Sequence, residues 1–152
     1  MTENEIIDYL QLDLLARKIE LQASNIQKSE LGYQLAYLEY FPFFDIKGAA
    51  AAHKEELRKY YELLTKAFYN ICKIINETSE PTILEAVNYS VEYLNRVLAD
   101  RDFIVQLLPL AQILSSLYNS AHTKLIKAGL EENAKHLEEL RRRIFLSWSI
   151  IG

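Results

Sequence analysis

The sequence predicts an all-α fold, an antiparallel four-helix bundle with an N-terminal helical extension. Only 4 glycines and 3 prolines occur among 152 residues, which leaves few places for the turns that many short strands would need. Between these residues the apolar side chains recur at steps of three and four, the spacing of a helix with one buried face. The length suits one domain, with an extension and aromatic linker over 1–47 and the bundle over 48–152.

The first helical segment is predicted over 4–41. Asn4 is a candidate N-cap, because asparagine accepts hydrogen bonds from the first free amides of a helix. Gly32 costs about 1 kcal/mol relative to alanine inside a helix, so the segment is either one long helix or two. Its apolar stripe would be costly to expose, so we expect a fifth core helix; the alternative is a lid over the groove where a partner helix would bind. The residues of this stripe are Ile7, Leu10, Leu14 and Ile19.

Four further helices are predicted over 50–77, 83–98, 103–128 and 130–150. Thr78 or Ser79 is a candidate cap, and Pro81 suits a first helical turn. Gly129 suits the left-handed position that ends a helix. The connections are short, so consecutive helices are expected to pack antiparallel. Three further interpretations concern the breaks: a packed aromatic linker over 40–48, a cap at Asp102, and a first turn or kink at Pro109.

Composition limits the classes of function. The net charge of −4 gives no general reason to bind nucleic acid. Cys72 is the only cysteine, so no internal disulfide is expected, which fits a cytoplasmic location. The acidic, polar N-terminus is unlike a signal peptide, and no apolar run reaches the roughly 18–20 residues that span a bilayer.

Signals for enzymatic chemistry are weak. The sequence has no glycine-rich phosphate loop, Cys-x-x-Cys pair, His-Glu-x-x-His motif or nucleophile elbow. His53, His122 and His136 lie on three different segments, and two histidines without a spaced carboxylate are a poor metal site. The expectation is a protein without catalytic residues, metal or cofactor.

The run Arg141, Arg142 and Arg143 has two interpretations. On a helix it fans over about 200°, and Glu138 and Glu139 stand four residues before Arg142 and Arg143, an order that favours ion pairs. The favoured interpretation is therefore a solvated face over a buried stripe; the alternative is contact with a nucleic-acid backbone. The stripe consists of Leu137, Leu140, Ile144 and Trp148.

Tyrosine is in excess, with 10 residues against one methionine. Tyrosine offers a large contact area and keeps one polar tip, so the pattern indicates either a bundle core edged by tyrosine or a groove for a partner helix. The candidate partner-binding residues are Tyr61, Leu64, Phe68, Tyr89, Tyr93, Tyr118 and Trp148.

Two stretches, 86–100 and 110–148, together contain an ordered set of residues, which are Leu94, Asn95, Leu98, Leu114, Leu117, Tyr118, Leu125, Ala128, Leu137, Leu140 and Trp148. With these residues, 110–148 resembles the C-terminal half of the flagellin export chaperones, the FliS family, and 86–100 resembles the second helix of that family. The resemblance implies a cytosolic chaperone that holds an amphipathic segment of a secreted filament subunit in an apolar groove. A co-chaperone of the same fold, and a homodimer formed by exchange of the extension, remain alternatives.

Overall fold

The computed structural model describes residues 2–28, 54–99 and 115–151, and these residues form five helices. The helices are α1 (Glu3–Lys28), α2 (Lys54–Glu77), α3 (Pro81–Ala99), α4 (Ser115–Lys127) and α5 (Glu131–Ile151). The all-α fold is therefore confirmed. The predictions for Gly32, the aromatic linker, His53, Asp102 and Pro109 lie outside the described residues.

The N-caps at two helix starts differ from the prediction. The hydroxyl oxygen Oγ1 of Thr2 accepts a hydrogen bond from the amide of Glu5 over 3.1 Å, so Thr2 caps α1 and the prediction of Asn4 is wrong. Before α3, the carbonyl of Glu80 accepts from the amides of Ile83 and Leu84, so Glu80 is the N-cap and the prediction of Thr78 or Ser79 is wrong. Thr78 Oγ1 accepts from the amide of Glu80 itself over 3.1 Å. Pro81 then opens the helix, where its missing N–H costs nothing.

Gly129 closes α4, as the sequence predicts. Its φ is +78°, the left-handed region that glycine reaches without a steric penalty. The amide of Leu130 donates to the carbonyl of Leu125, and the amide of Gly129 donates to that of Ile126. These two bonds form a Schellman motif. The chain turns directly into α5 at this point. The carbonyl of Leu130, just before α5, accepts the hydrogen bond from the amide of Ala134.

The helices surround one core. Asn70 Nδ2 donates to the carbonyl of Asp8, and Gln22 Nε2 donates to that of Glu56, so α1 and α2 run antiparallel. Helix α1 packs against both α2 and α3, and α5 packs against α3 and α4. Helix α4 packs mainly against α2 and α5. The described part of the fourth predicted helix therefore does not pack mainly on α3, contrary to the expectation for consecutive helices.

The buried side of α1 belongs to the same core as the other helices. Its buried residues alternate at steps of four and three, which is the spacing of a coiled-coil seam. The expected stripe is wrong except for Ile19, because Ile7, Leu10 and Leu14 lie on the opposite, exposed side. The residues that α1 contributes to the core are Leu12, Ala16, Ile19, Ala23 and Ile26.

Candidate protein-binding surface

Three of the predicted partner-binding residues are core residues. Leu64 and Phe68 are 1% exposed, and the ring of Tyr118 stacks on that of Phe68 with centroids 6.1 Å apart and an interplanar angle of 23°. A partner would reach these side chains only if the helices separated. In the closed bundle they hold α2 against α4, which corrects the expectation that they present a surface.

Of the remaining predicted residues, the three whose side chains are described, Tyr61, Tyr89 and Tyr93, are not gathered on one open surface. Tyr61 and Tyr93 are half-buried and pack against the core, so each behaves as an edge of the bundle. Tyr89 is exposed on the outside of α3. Trp148 lies in α5, and its side chain is outside the described part of the structure.

The arginine run is mostly engaged by its own bundle. The guanidinium of Arg141 lies over the ring of Tyr118, 4.7 Å from the centroid, and Arg143 Nη2 lies 3.0 Å from Glu139 Oε1. The Glu139 pair is as predicted. Glu138 instead lies 2.8 Å from His122 Nε2, so the predicted partner of Arg142 is taken by α4.

The pKa values of two side chains in this part of the bundle, Tyr118 and Cys72, are raised mainly by burial and give no indication of catalysis. Burial raises the pKa of the Tyr118 hydroxyl, and nearby Glu138 raises it further, while Arg141 opposes the shift. Burial also raises the pKa of the Cys72 thiol to about 12, so very little thiolate is present at neutral pH. Cys72 is therefore a poor nucleophile.

The two described histidines, His122 and His136, occupy separate polar clusters. His136 Nδ1 lies 3.0 Å from Asn88 Oδ1, and its Nε2 lies 3.4 Å from Glu92 Oε1. His122 faces Glu138 instead. Within the described part of the chain, no three His, Cys, Asp or Glu side chains cluster in the way that metal ligands do.

A polar cleft of about 320 Å³ lies between α3 and α5. Asn95 is one of its lining residues and donates from Nδ2 to the carbonyl of His136 over 3.0 Å. Carboxylates and guanidiniums are balanced in its lining, which attracts neither anions nor cations as a class. The charged residues of the lining are Glu92, Arg96, Glu139 and Arg143.

Among the described residues, most of the exposed large aliphatic side chains lie on the outer side of α1. Five large aliphatic side chains there are 42–63% exposed. At 100° per residue, this side lies roughly opposite the buried seam, so α1 is apolar on two faces. We call it the outer stripe, and its residues are Ile6, Ile7, Leu10, Leu14 and Leu21.

Charge is divided between the two edges of the outer stripe. Asp13 and Glu20 lie along one edge, and Gln11 and Lys18 lie along the other. Arg17 Nε is 3.2 Å from Asp13 Oδ2, so part of the charge on the acidic edge is compensated within α1. An apolar seam bordered by charges of opposite sign is the form of a helix-binding surface.

The outer stripe was not predicted from the sequence. Ile7, Leu10 and Leu14 were expected in the core, and Leu21 was not among the expected stripe residues. The signal that could have revealed the surface is a second set of apolar residues, Leu12, Ala16 and Ile19, at helical spacing on the other side of the same segment. When a helix has two apolar faces and one of them packs in its own bundle, the other face is available for binding another helix.

No family model, curated protein or solved structure matches this chain. None of the helices over 2–28, 54–99 and 115–151 combines the length and hydrophobicity needed to cross a bilayer.

Proposed function

We propose that this protein is a non-enzymatic helical chaperone that binds an amphipathic helix of another protein along the outer stripe of α1. The observation that carries the proposal is the exposure of five aliphatic side chains on one face of one helix. Contiguous apolar surface of this kind marks interaction sites on soluble proteins. A partner helix would cover it with its own apolar face.

The outer stripe is a better site than the groove that α1 itself fills between α2 and α3. A partner in that groove would have to displace α1 and expose Leu12, Ile19 and Ile26, which are fully buried. Burial of each such side chain contributes about 1.5–3 kcal/mol. The binding free energy of the partner would be less favourable by the free energy needed to displace α1. The outer stripe is accessible without any rearrangement.

The client class in this proposal is a secreted filament subunit, held in the cytoplasm before assembly. The support is the similarity of 86–148 to the flagellin export chaperones. Covering an amphipathic helix through which such a subunit polymerises would delay its assembly. The physical requirement on the client is one apolar helical face of about two turns, enough to cover the stretch from Ile7 to Leu14.

Contact with nucleic acid has less support. Arg141 is held over Tyr118 and Arg143 is paired with Glu139, so these two cations are partly neutralised or covered. Binding to a phosphate backbone would weaken steeply with added salt. Binding along an apolar stripe would respond to salt only slightly, so a salt titration separates the two functions.

The test measures filament assembly. The purified chain is mixed with the monomeric filament subunit of the source cell, and polymerisation is followed by light scattering. We expect the chain to form a complex with the subunit and to delay assembly. Leu10→Glu and Leu14→Glu should abolish the delay, because each places a charge in the middle of the apolar contact.

Ile126→Glu is the matched control, since Ile126 is a similarly exposed aliphatic residue on α4. It should leave the delay unchanged. Unchanged assembly in the presence of the folded wild-type chain would refute the chaperone proposal. If the Leu14→Glu variant still delays assembly, the client binds at a surface other than the outer stripe.

A further inference from the structure

The outer stripe has the spacing of a coiled-coil seam. Ile7, Leu10, Leu14 and Leu21 follow one another at intervals of three, four and seven residues, which are a, d, a and a positions of a heptad repeat. The seam that binds α1 to its own bundle lies on the opposite side, so a second helix along the stripe would not meet that bundle. We propose that in the free protein the stripe is covered by α1 of a second copy of this chain, lying parallel to it.

The charges beside the stripe favour the parallel orientation. In a parallel pair, a residue at position g faces the residue five places further along the other helix, at position e. Asp13 of each copy then faces Lys18 of the other, so symmetry forms the attractive pair twice. In an antiparallel pair, position g faces g, and Asp13 would meet Glu20 or Asp13 of the second copy. That arrangement places like charges together.

Arg17 takes the d position between Leu14 and Leu21. Its side chain is largely exposed and already pairs with Asp13, so the guanidinium can remain at the edge of the seam in solvent while its methylene groups pack. The second oxygen of the Asp13 carboxylate is then directed to Lys18 of the second copy. One polar residue within a seam fixes the register and lowers the stability of the pair, so we expect a reversible dimer.

This inference rests on the proposed function only in that both use the outer stripe, which makes dimerisation and client binding mutually exclusive. The two proposals have separate measurements. Self-association is measured without any client, and client binding is measured by filament assembly. A chain that is always monomeric could still delay assembly, and a dimer could fail to do so.

The first experiment is sedimentation over a range of protein concentrations. The wild-type chain should approach twice the mass of the 17.7-kDa protomer as its concentration rises. Leu14→Glu should remain monomeric, and Leu21→Glu provides a second such variant. Helicity and thermal unfolding are compared with the wild type, because both side chains are exposed and the fold should survive. Ile126→Glu should dimerise normally.

The second experiment tests the register with charge variants. Asp13→Lys and Lys18→Asp should each weaken the homodimer, because each places like charges at both pairing positions. A mixture of the two variants should form a heterodimer. There the lysine introduced in one variant faces the aspartate introduced in the other, and the unchanged Lys18 and Asp13 also face each other. Energy transfer between dyes on the two N-termini should be high, because parallel helices bring these ends together.

Three outcomes would overturn the inference. The first is a wild-type chain that remains monomeric at all concentrations, and the second is a dimer that persists in both Leu14→Glu and Leu21→Glu. The third is a mixture of the charge variants that associates no more strongly than either variant alone. The last result would exclude the parallel register even if a dimer forms.

Discussion

Lys124 of α4 closes the C-terminal end of α2. Its ammonium donates to the carbonyl oxygen of Asn76 over 3.0 Å and also to that of Thr78. The last carbonyls of a helix lack intrahelical donors and carry the negative end of its dipole. A single cation from another helix therefore satisfies the end of α2 and fixes where α4 crosses it.

Lys124→Met should lower the free energy of unfolding by about 1–2 kcal/mol, because it keeps the packed stem and removes the charged donor. Urea unfolding measures the change. Lys127→Met is the control, since Lys127 lies in the same last turn and is exposed. Equal effects of the two substitutions would show that the contact with α2 is not responsible.

Ile19→Ala and Leu21→Ala should differ sharply although the residues are two positions apart. Ile19 is 0% exposed and Leu21 is 63% exposed. The first substitution should cost about 2–5 kcal/mol through lost burial and a cavity, and the second less than about 0.5 kcal/mol. Thermal and urea unfolding of the monomer measure both. Similar small costs would mean that α1 is a lid rather than part of the core.

Arg141→Gln should lower stability by about 0.5–1 kcal/mol, the contribution of a cation–π contact whose cation stays accessible to solvent. Arg142→Gln should have almost no effect, because Arg142 is exposed and its expected partner, Glu138, faces His122. Both variants are measured by urea unfolding. A larger loss for Arg142 than for Arg141 would contradict the assigned contacts.

Cys72 should make the protein less stable as the pH rises above 9.0. The thiol has a pKa of about 12 in the folded chain against an ordinary 9.0, so between these values the folded state holds a proton that the unfolded state releases. The free energy of unfolding therefore falls by at most about 1.4 kcal/mol per pH unit from this group. Burial, which also raises the pKa of Tyr118, acts in the same direction.

Urea unfolding on either side of pH 9.0 checks the contribution of Cys72. The Cys72→Ala variant should lose less stability per pH unit than the wild type, even though its stability at neutral pH is lower. Equal slopes for the two proteins would assign the alkaline loss to other groups.

Gly129→Ala should cost about 1–2 kcal/mol, the penalty of a left-handed conformation for a residue with a Cβ. The space around this position is open, with no atom within 4 Å of the added methyl, so the cost is one of backbone conformation alone. Gly129→Asn should cost less, because asparagine tolerates this region better. Calorimetric melting temperatures would rank the three proteins; an alanine variant as stable as the wild type would contradict the assignment.

The sequence by itself determined where the described helices lie and how two of their ends are made. Apolar steps of three and four identify α2, α3 and α5 within a few residues, and Gly129 and Pro81 act through local backbone geometry that needs no distant contact. The pair of Arg143 with Glu139 was predictable for the same reason, since residues four apart on a helix are neighbours in any fold.

Only the tertiary structure decided which apolar face of α1 is buried, which helices surround α4, and that Leu64, Phe68 and Tyr118 lie inside. A periodic pattern gives the angular positions of side chains around one helix axis, but the direction in which that helix faces depends on residues far away in the chain. Both faces of α1 are apolar, so hydrophobicity alone does not decide which face is buried. The packing of its side chains against α2 and α3 decides it. The small Ala16 and Ala23 let α1 approach α2 and α3 closely, and the bulkier side chains of the outer stripe face away from the bundle.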